Sequence, residues 1–270
     1  MAQTGFGGQV VVFAANLGPR ELSLYRGAGA EVRNHGLHLH RVLRRPLQTV
    51  FWRMVRRWPD AGSFSAPWDR LQQPNLLRWS LYRRYLEENR GRFDRVLMVD
   101  LRDVVFQSDP FGQVEPAQLH IYAEEGDVTV GQSAWNTRTM LRAFGPEGLQ
   151  TMAHRRVSCS GAVAGGIAPV ETYLRAFADL LPSVSLPDHG TDQAAHIRVV
   201  HGPLASAVDW QNNRGGDVLH LHYVEDPAGL RRDAGGRFLN TAGRPYAIVH
   251  QFDRHPATAA RLAALRQKPA

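Results

Sequence analysis

Cysteine is almost missing. Cys159 is the single one in 270 residues, so no intrachain disulfide can staple the fold and a reducing compartment is expected. Lysine is as scarce: Lys268 stands alone among 32 basic residues, and arginine carries the rest of the positive charge. No segment approaches the roughly 18 apolar residues that a membrane-spanning helix needs. The apolar run at residues 10–15 is too short for a signal peptide and has no basic segment before it. Repeats, heptads, low-complexity tracts and linkers are also lacking. These absences predict a cytoplasmic protein with one domain over residues 1–270.

What is present suffices for a large core. Hydrophobic residues make up 43% of the chain, so neither disorder nor a structural metal is required for folding. The formal charge is +7, and between residues 33 and 95 fourteen arginines face five carboxylates. Such a surface points to acidic partners such as nucleotides, phosphorylated substrates or anionic lipid. A composition rich in Arg, Ala, Gly and Pro is the alternative explanation. Nothing reads as an aromatic RNA platform or a helix-turn-helix, so nucleic acid is not expected as a partner.

Strand and helix signals alternate. QVVVFAA (9–15) is a continuous apolar run of the kind buried on both faces of a sheet. ELSLYRGAG reads as a short helix ending at glycine, and AEV opens the next strand. In 41–58, Leu43, Leu47, Val50, Phe51, Met54 and Trp58 recur at helical spacing, with Arg44, Arg45, Arg53, Arg56 and Arg57 on the polar side. That amphipathic segment either packs on the domain or lies on anionic lipid as a peripheral membrane contact. LQQPNLLRWSLYRRYLEENRG is a second helix, opened near Pro74 and closed at Gly91. FDRVLMVD is the clearest strand, VETYLRAFADLL a helix, and TDQAAHIRVVH a helix or helix–strand junction. DVTVGQSAW and SCSGAVAGG alternate turn residues with short apolar runs, and GDVLHLHYV and RPYAIVHQF are late strands. Alternating strands and helices predict one α/β sandwich around a mostly parallel sheet, with ligands outside the carboxyl ends of the strands.

Asp100 and Asp103 stand at such an end, in VLMVDLRDVVFQSDPF. An Asp after a strand is also a common turn or capping residue. Three further segments favour chemistry. IVHQFDRHP is a second strand pattern ending in a polar cluster, and His250 is placed there as a metal ligand. Two carboxylates and one imidazole suit Mn²⁺ or Mg²⁺ and leave positions open for water and diphosphate oxygens. CSGAVAGG lets a ligand approach the backbone, with Ser160 free to hydrogen-bond a sugar hydroxyl. HGTDQAAH places Asp192 and Gln193 at the start of a helix, where they can read vicinal hydroxyls or cap the helix.

The order of these blocks, from the first strand through DLRDVVFQSDPF, SAWNTR, CSGAVAGG and HGTDQAAH to IVHQFDRHP, resembles GT-A-fold glycosyltransferases. The likeness is to a group with a DxRDVxFQ segment, distantly similar to the glycogenin and galactosyltransferase type (glycosyltransferase family 8). It extends from Val10 to Pro256 and implies a single Rossmann-like α/β/α sandwich. Residues 1–110 would then form the nucleotide-binding half, 111–256 the donor-sugar and acceptor half, and 257–270 a tail. It implies a metal-dependent transfer of sugar from a nucleoside-diphosphate sugar, with UDP as nucleotide, to an acceptor that the sequence does not name. Asp100, Asp103 and His250 match the metal ligands, with Asp103 the expected ligand and Asp100 a ligand or ribose contact. Phe13 and Ala14 match the nucleobase and ribose site, and Arg78 the helix arginine that faces the diphosphate. Ser160 and Gly161 match the segment bordering the donor sugar, and Asp192 and Gln193 the pair that binds its hydroxyls.

The family motif is Asp-x-Asp, whereas here Leu101 and Arg102 separate the carboxylates. Arg102 then stands beside the donor phosphates, either stabilising charge there or pairing with a carboxylate. The late histidine implies retention, with the leaving phosphate assisting deprotonation of the acceptor. Inversion would need an opposite carboxylate base, and Asp192 and Glu124 are the candidates. The acceptor side is expected from residues 35–75 and Trp135 to Arg138. Two other readings compete: a sugar-nucleotide pyrophosphorylase, whose glycine-rich loop and lysine are not matched, and a catalytically silent nucleotide-sugar binder. His35, His38 and His40 lack a partner pair for structural zinc. LHLH at 219–222 reads as alternating strand residues, and Cys159 as a buried small residue.

Overall fold

The computed structural model describes residues 4–15, 17–35, 73–185 and 187–266, together with Leu47, Val50, Arg53 and Arg57. The first half runs β1 (Val11–Ala14), α1 (Pro19–Gly27), β2 (Glu31–Asn34), α2 (Pro74–Glu88), β3 (Arg95–Val99), β4 (Val104–Phe106) and β5 (Leu119–Ala123). The second half runs α3 (Ala134–Met152), β6 (Ser158–Gly166), α4 (Ile167–Leu180), α5 (Thr191–His201), β7 (Val208–Gln211), β8 (Val218–His220), β9 (Ile248–His250) and α6 (Pro256–Arg266).

The class is α/β, but the single mostly parallel sheet expected from the sequence is not what forms. β1 and β2 make a two-stranded sheet, β3-β6-β5-β7 a four-stranded one, and β4-β9-β8 a three-stranded one. Three strand pairs are parallel, β1–β2, β5–β7 and β8–β9. The other three, β3–β6, β5–β6 and β4–β9, are antiparallel. The difference lies in β6. SCSGAVAGG is a nine-residue strand at the centre of the largest sheet, buried at every position and reversed against both neighbours. Apolar patterning reports burial and is silent on strand direction.

β6 also explains the layering. Val163 faces a core that contains Trp79 of α2, Tyr173 and Phe177 of α4, and Ala195 and Val199 of α5. Ala162 and Ala164, on the opposite face, pack against Val104, Val218 and Ile248 of the three-stranded sheet. The layers are therefore helices, four-stranded sheet, three-stranded sheet. Trp79 and Phe177 stack with ring centroids 4.8 Å apart, joining α2 to α4.

Two further differences have local causes. α3 is not marked by sequence pattern because Gly145, at φ 69°, and Pro146 interrupt its apolar spacing. Its start is capped by Ser133, whose Oγ accepts from the Asn136 backbone N–H at 3.2 Å. The expected tail forms α6 as far as Arg266, and Leu262 is buried with Phe238 and Tyr246. Most of the amphipathic 41–58 segment and the histidines of HGLHLH after His35 lie outside the described residues. Leu47, Val50, Arg53 and Arg57 are helical, and Leu47 and Val50 are exposed. Among the described residues no helix is long and apolar enough to cross a membrane.

Candidate metal centre

Asp100 follows the last residue of β3, and its backbone N–H donates to the carbonyl of Gly161 on β6 at 2.9 Å. The chain then turns through Leu101 and Arg102, and Asp103 precedes β4. β4 pairs antiparallel with β9, with Val104 opposite His250. The Gln251 backbone N–H donates to the carbonyl of Asp103 at 2.8 Å, which fixes the two ends together. Asp100, Asp103 and His250, 150 residues apart at the extremes, thereby bring one ligand atom each within 4.8 Å of one another. His250 Nε2 lies 3.5 Å from Asp103 Oδ1 and 3.9 Å from Asp100 Oδ2. Burial favours the protonated form of Asp103, but His250 and then Arg102 outweigh it and hold its carboxyl below the ordinary range.

Gly161 shows that this space is constructed. A Cβ at that position would overlap His250 Cε1 and would come within 2.8 Å of Asp100 Oδ2. Only glycine lets β6 pass so close to the ligand atoms. Gln251, immediately after His250, takes the left-handed conformation at φ 61°, an arrangement non-glycine residues seldom adopt. That turn directs the chain out of β9 with its amide 3.7 Å from Cys159 Sγ.

Arg78 gathers the other side of the site. Projecting from α2, it ion-pairs through Nη1 with Asp100 and through Nη2 with Asp192 at 2.9 Å. Nη2 also reaches the Ser160 carbonyl and hydroxyl, each at 3.3 Å. Burial opposes its charge, yet Asp100 and Asp192 prevail and raise its pKa further above the ordinary arginine value. Its Nε has no hydrogen-bond partner. Asn75 donates to the second oxygen of Asp192 at 2.7 Å. Gln193 is committed at both ends: Oε1 accepts from the Ser160 N–H at 2.8 Å, and Nε2 donates to the Ser158 carbonyl at 2.6 Å. It clamps α5 to β6.

These groups line one cavity of about 830 Å³, which contains Arg78, Asp100, Asp103, Ser160, Gly161, Asp192, Gln193 and His250. Arg102 borders it with a largely exposed side chain, and its Nη2 lies 3.6 Å from Asp253 Oδ2. Of its two expected roles the structure displays the ion pair. Phe13 lines a separate, mainly apolar cavity of about 400 Å³ between β1 and β3. The two cavities share Pro74, Arg78, Asp100 and Leu101. Ala14 is buried and lines neither.

Compared with known proteins, the sequence matches no family model and no curated protein.

The residue set fits a hard divalent cation, because it offers oxygen donors plus one imidazole in a space kept clear by glycine. Arg78 neutralises Asp100 and Asp192 on one side of the site, while Asp103 faces His250 on the other. Trp135 and Asn136, in the segment expected on the acceptor side, line the same cavity, and Asn136 Oδ1 is buried without a partner. Asn75 and Tyr223, which also line it, carry no signal that local sequence displays. Glu124, expected only as a base, is buried at the end of β5, and desolvation pushes its carboxyl up to about 7. His220, expected as an alternating strand residue, lies directly beside His250, because β8 and β9 pair in parallel with these two residues in register.

Proposed function

We propose that this protein is a metal-dependent glycosyltransferase of GT-A type, moving a sugar from a UDP-sugar to an acceptor hydroxyl with retention. The observation that carries the reading is the convergence of Asp100, Asp103 and His250 around the space vacated at Gly161. A divalent ion held there would stabilise the negative charge that grows on a departing diphosphate. Arg78 supplies fixed positive charge to the same side, and its unpartnered Nε is a buried donor awaiting an acceptor. Asp192, kept in place by Arg78 and Asn75, presents carboxylate oxygens to the donor sugar. Gln193 acts by holding Ser160, whose hydroxyl borders the same space. Trp135 offers an apolar face for an acceptor ring, and Asn136 Oδ1 an unfilled hydrogen-bond acceptor. The apolar cavity lined by Phe13 lies beyond Arg78 and Asp100, where a nucleobase would continue from the diphosphate.

The test offers a panel of nucleoside-diphosphate sugars to the protein with Mn²⁺ and with chelator. Hydrolysis or transfer should need the metal, and Asp103→Asn should lose it while the unfolding midpoint stays close to wild type. UDP binding without turnover under any metal would instead identify a silent binder. Release of UTP from UDP-sugar and pyrophosphate would identify a pyrophosphorylase.

A further inference from the structure

Behind the acidic centre, on the other edge of the same imidazole, lies a second convergence. Cys159 Sγ is 3.7 Å from His250 Nδ1, and His220 Nδ1 is 3.0 Å from that atom. One ligand atom from each of the three residues lies within 4.8 Å of the others, and all three are buried. Zn–N and Zn–S bonds of about 2.0–2.3 Å in a tetrahedron hold neighbouring ligand atoms roughly 3.3–3.7 Å apart, close to these separations. Glu124, 6% exposed, interacts with Cys159, and its Oε2 has no hydrogen-bond partner. An unpaired buried carboxylate oxygen is costly unless something binds it.

We propose that Cys159, His220 and His250, with Glu124 beside the thiol, form a site for a thiophilic divalent cation such as Zn²⁺, and that filling it disables the acidic centre. The site itself stands on the cluster alone; its inhibitory effect rests on the transferase reading above. One thiolate and two imidazoles favour Zn²⁺ over Mn²⁺ or Mg²⁺, whereas the carboxylate pair prefers the harder ions. Exclusion between the sites follows from the ring. A neutral imidazole has one lone pair. His250 can turn that pair toward Asp100 and Asp103 only with its proton on Nδ1. It can bind Zn²⁺ through Nδ1 only with the proton on Nε2. Zinc entry replaces the thiol proton of Cys159, which leaves to solvent, and no electron is transferred.

Co²⁺, a spectroscopic stand-in for Zn²⁺, should give the metal-free full chain a thiolate-to-cobalt charge-transfer band. Cys159→Ser and His220→Asn should each remove that band, and Asp103→Asn should keep it. Mn²⁺ bound to wild type and followed by electron paramagnetic resonance should be released at a lower Zn²⁺ concentration than Mn²⁺ bound to Cys159→Ser, where only direct competition at the acidic centre remains. A missing band in wild type, or one that persists in Cys159→Ser, overturns the site. Release of Mn²⁺ to the same extent from both proteins overturns the shared-imidazole mechanism. A band in a protein that binds no Mn²⁺ upholds the site and removes the transferase reading instead. Circular dichroism verifies that each variant is folded, and the two independent substitutions keep the test decisive if one of them is not.

Discussion

At the scale of single residues, Gly161 is the most sensitive position in the candidate centre. Its missing side chain gives His250 and Asp100 the room to approach each other, with the Asp100 oxygen only 2.8 Å from where a Cβ would stand. Gly161→Ala should therefore displace a ligand rather than merely crowd the core. We expect Mn²⁺ affinity to fall roughly 10–100-fold, as for a lost supporting contact, with a stability cost of about 1–3 kcal/mol from overpacking. Isothermal titration with Mn²⁺ and urea unfolding measure the two effects separately. Equal Mn²⁺ affinity in wild type and variant would place the ion elsewhere. His220 Nδ1 lies 3.0 Å from His250 Nδ1, and burial drives the pKa of His220 well down.

At the scale of elements, the junction of α4, α5 and β6 is held by a buried imidazole. His196 of α5 meets Ser158 of β6 through Nε2 at 2.9 Å and Tyr173 of α4 through Nδ1 at 2.8 Å. Desolvation, aided by nearby His201 and Arg78, lowers its pKa from 6.5 to about 3. The folded state thus binds that proton less readily than the unfolded chain. Its contribution is full above pH 6.5 and declines as pH falls toward 3, by on the order of 5 kcal/mol across that window. Wild type should lose more stability than His196→Gln between pH 7 and pH 4 in urea titrations. Parallel curves for the two proteins would rule out His196 as the source. Trp79 supports the same junction from α2, stacked on Phe177 and 3% exposed. Trp79→Ala should cost about 3–5 kcal/mol through cavity formation, seen as a lower unfolding midpoint.

At the scale of the whole molecule, Arg78 links parts that are far apart in sequence: α2, the end of β3, β6 and the start of α5. A planar guanidinium can serve two carboxylates at once, and a lysine ammonium cannot reproduce that fork. Arg78→Met leaves Asp192, largely buried, with only the neutral donors Asn75 and, at 3.5 Å, the Ser160 hydroxyl, and should destabilise the fold by about 3 kcal/mol. The Asp100 arm adds little to that figure because its side chain is 37% exposed. Arg78→Lys should recover only part of the midpoint and little of any UDP affinity. A lysine variant equal to wild type in both would show that charge alone matters.

The sequence by itself marked the acidic strand end, the late histidine strand and the helices α2 and α4, because each announces itself by local apolar spacing. It did not reveal β5, whose His120 looks polar but is paired at 2.8 Å with Asp209 inside the sheet. β6 was equally hidden. Its small residues are legible as room for close approach, but not as a central strand, in which a Cβ at Gly165 would meet the Gln118 carbonyl at 2.6 Å. Strand direction, the division into separate sheets, and the meeting of His220 with His250 depend on which chain segments become neighbours. Such pairings are long-range, and no window of local sequence contains them. The family resemblance already grouped Asp100, Asp103 and His250, and tertiary structure added how they meet: β4 and β9 pair with Val104 opposite His250, which sets the imidazole beside the carboxylates.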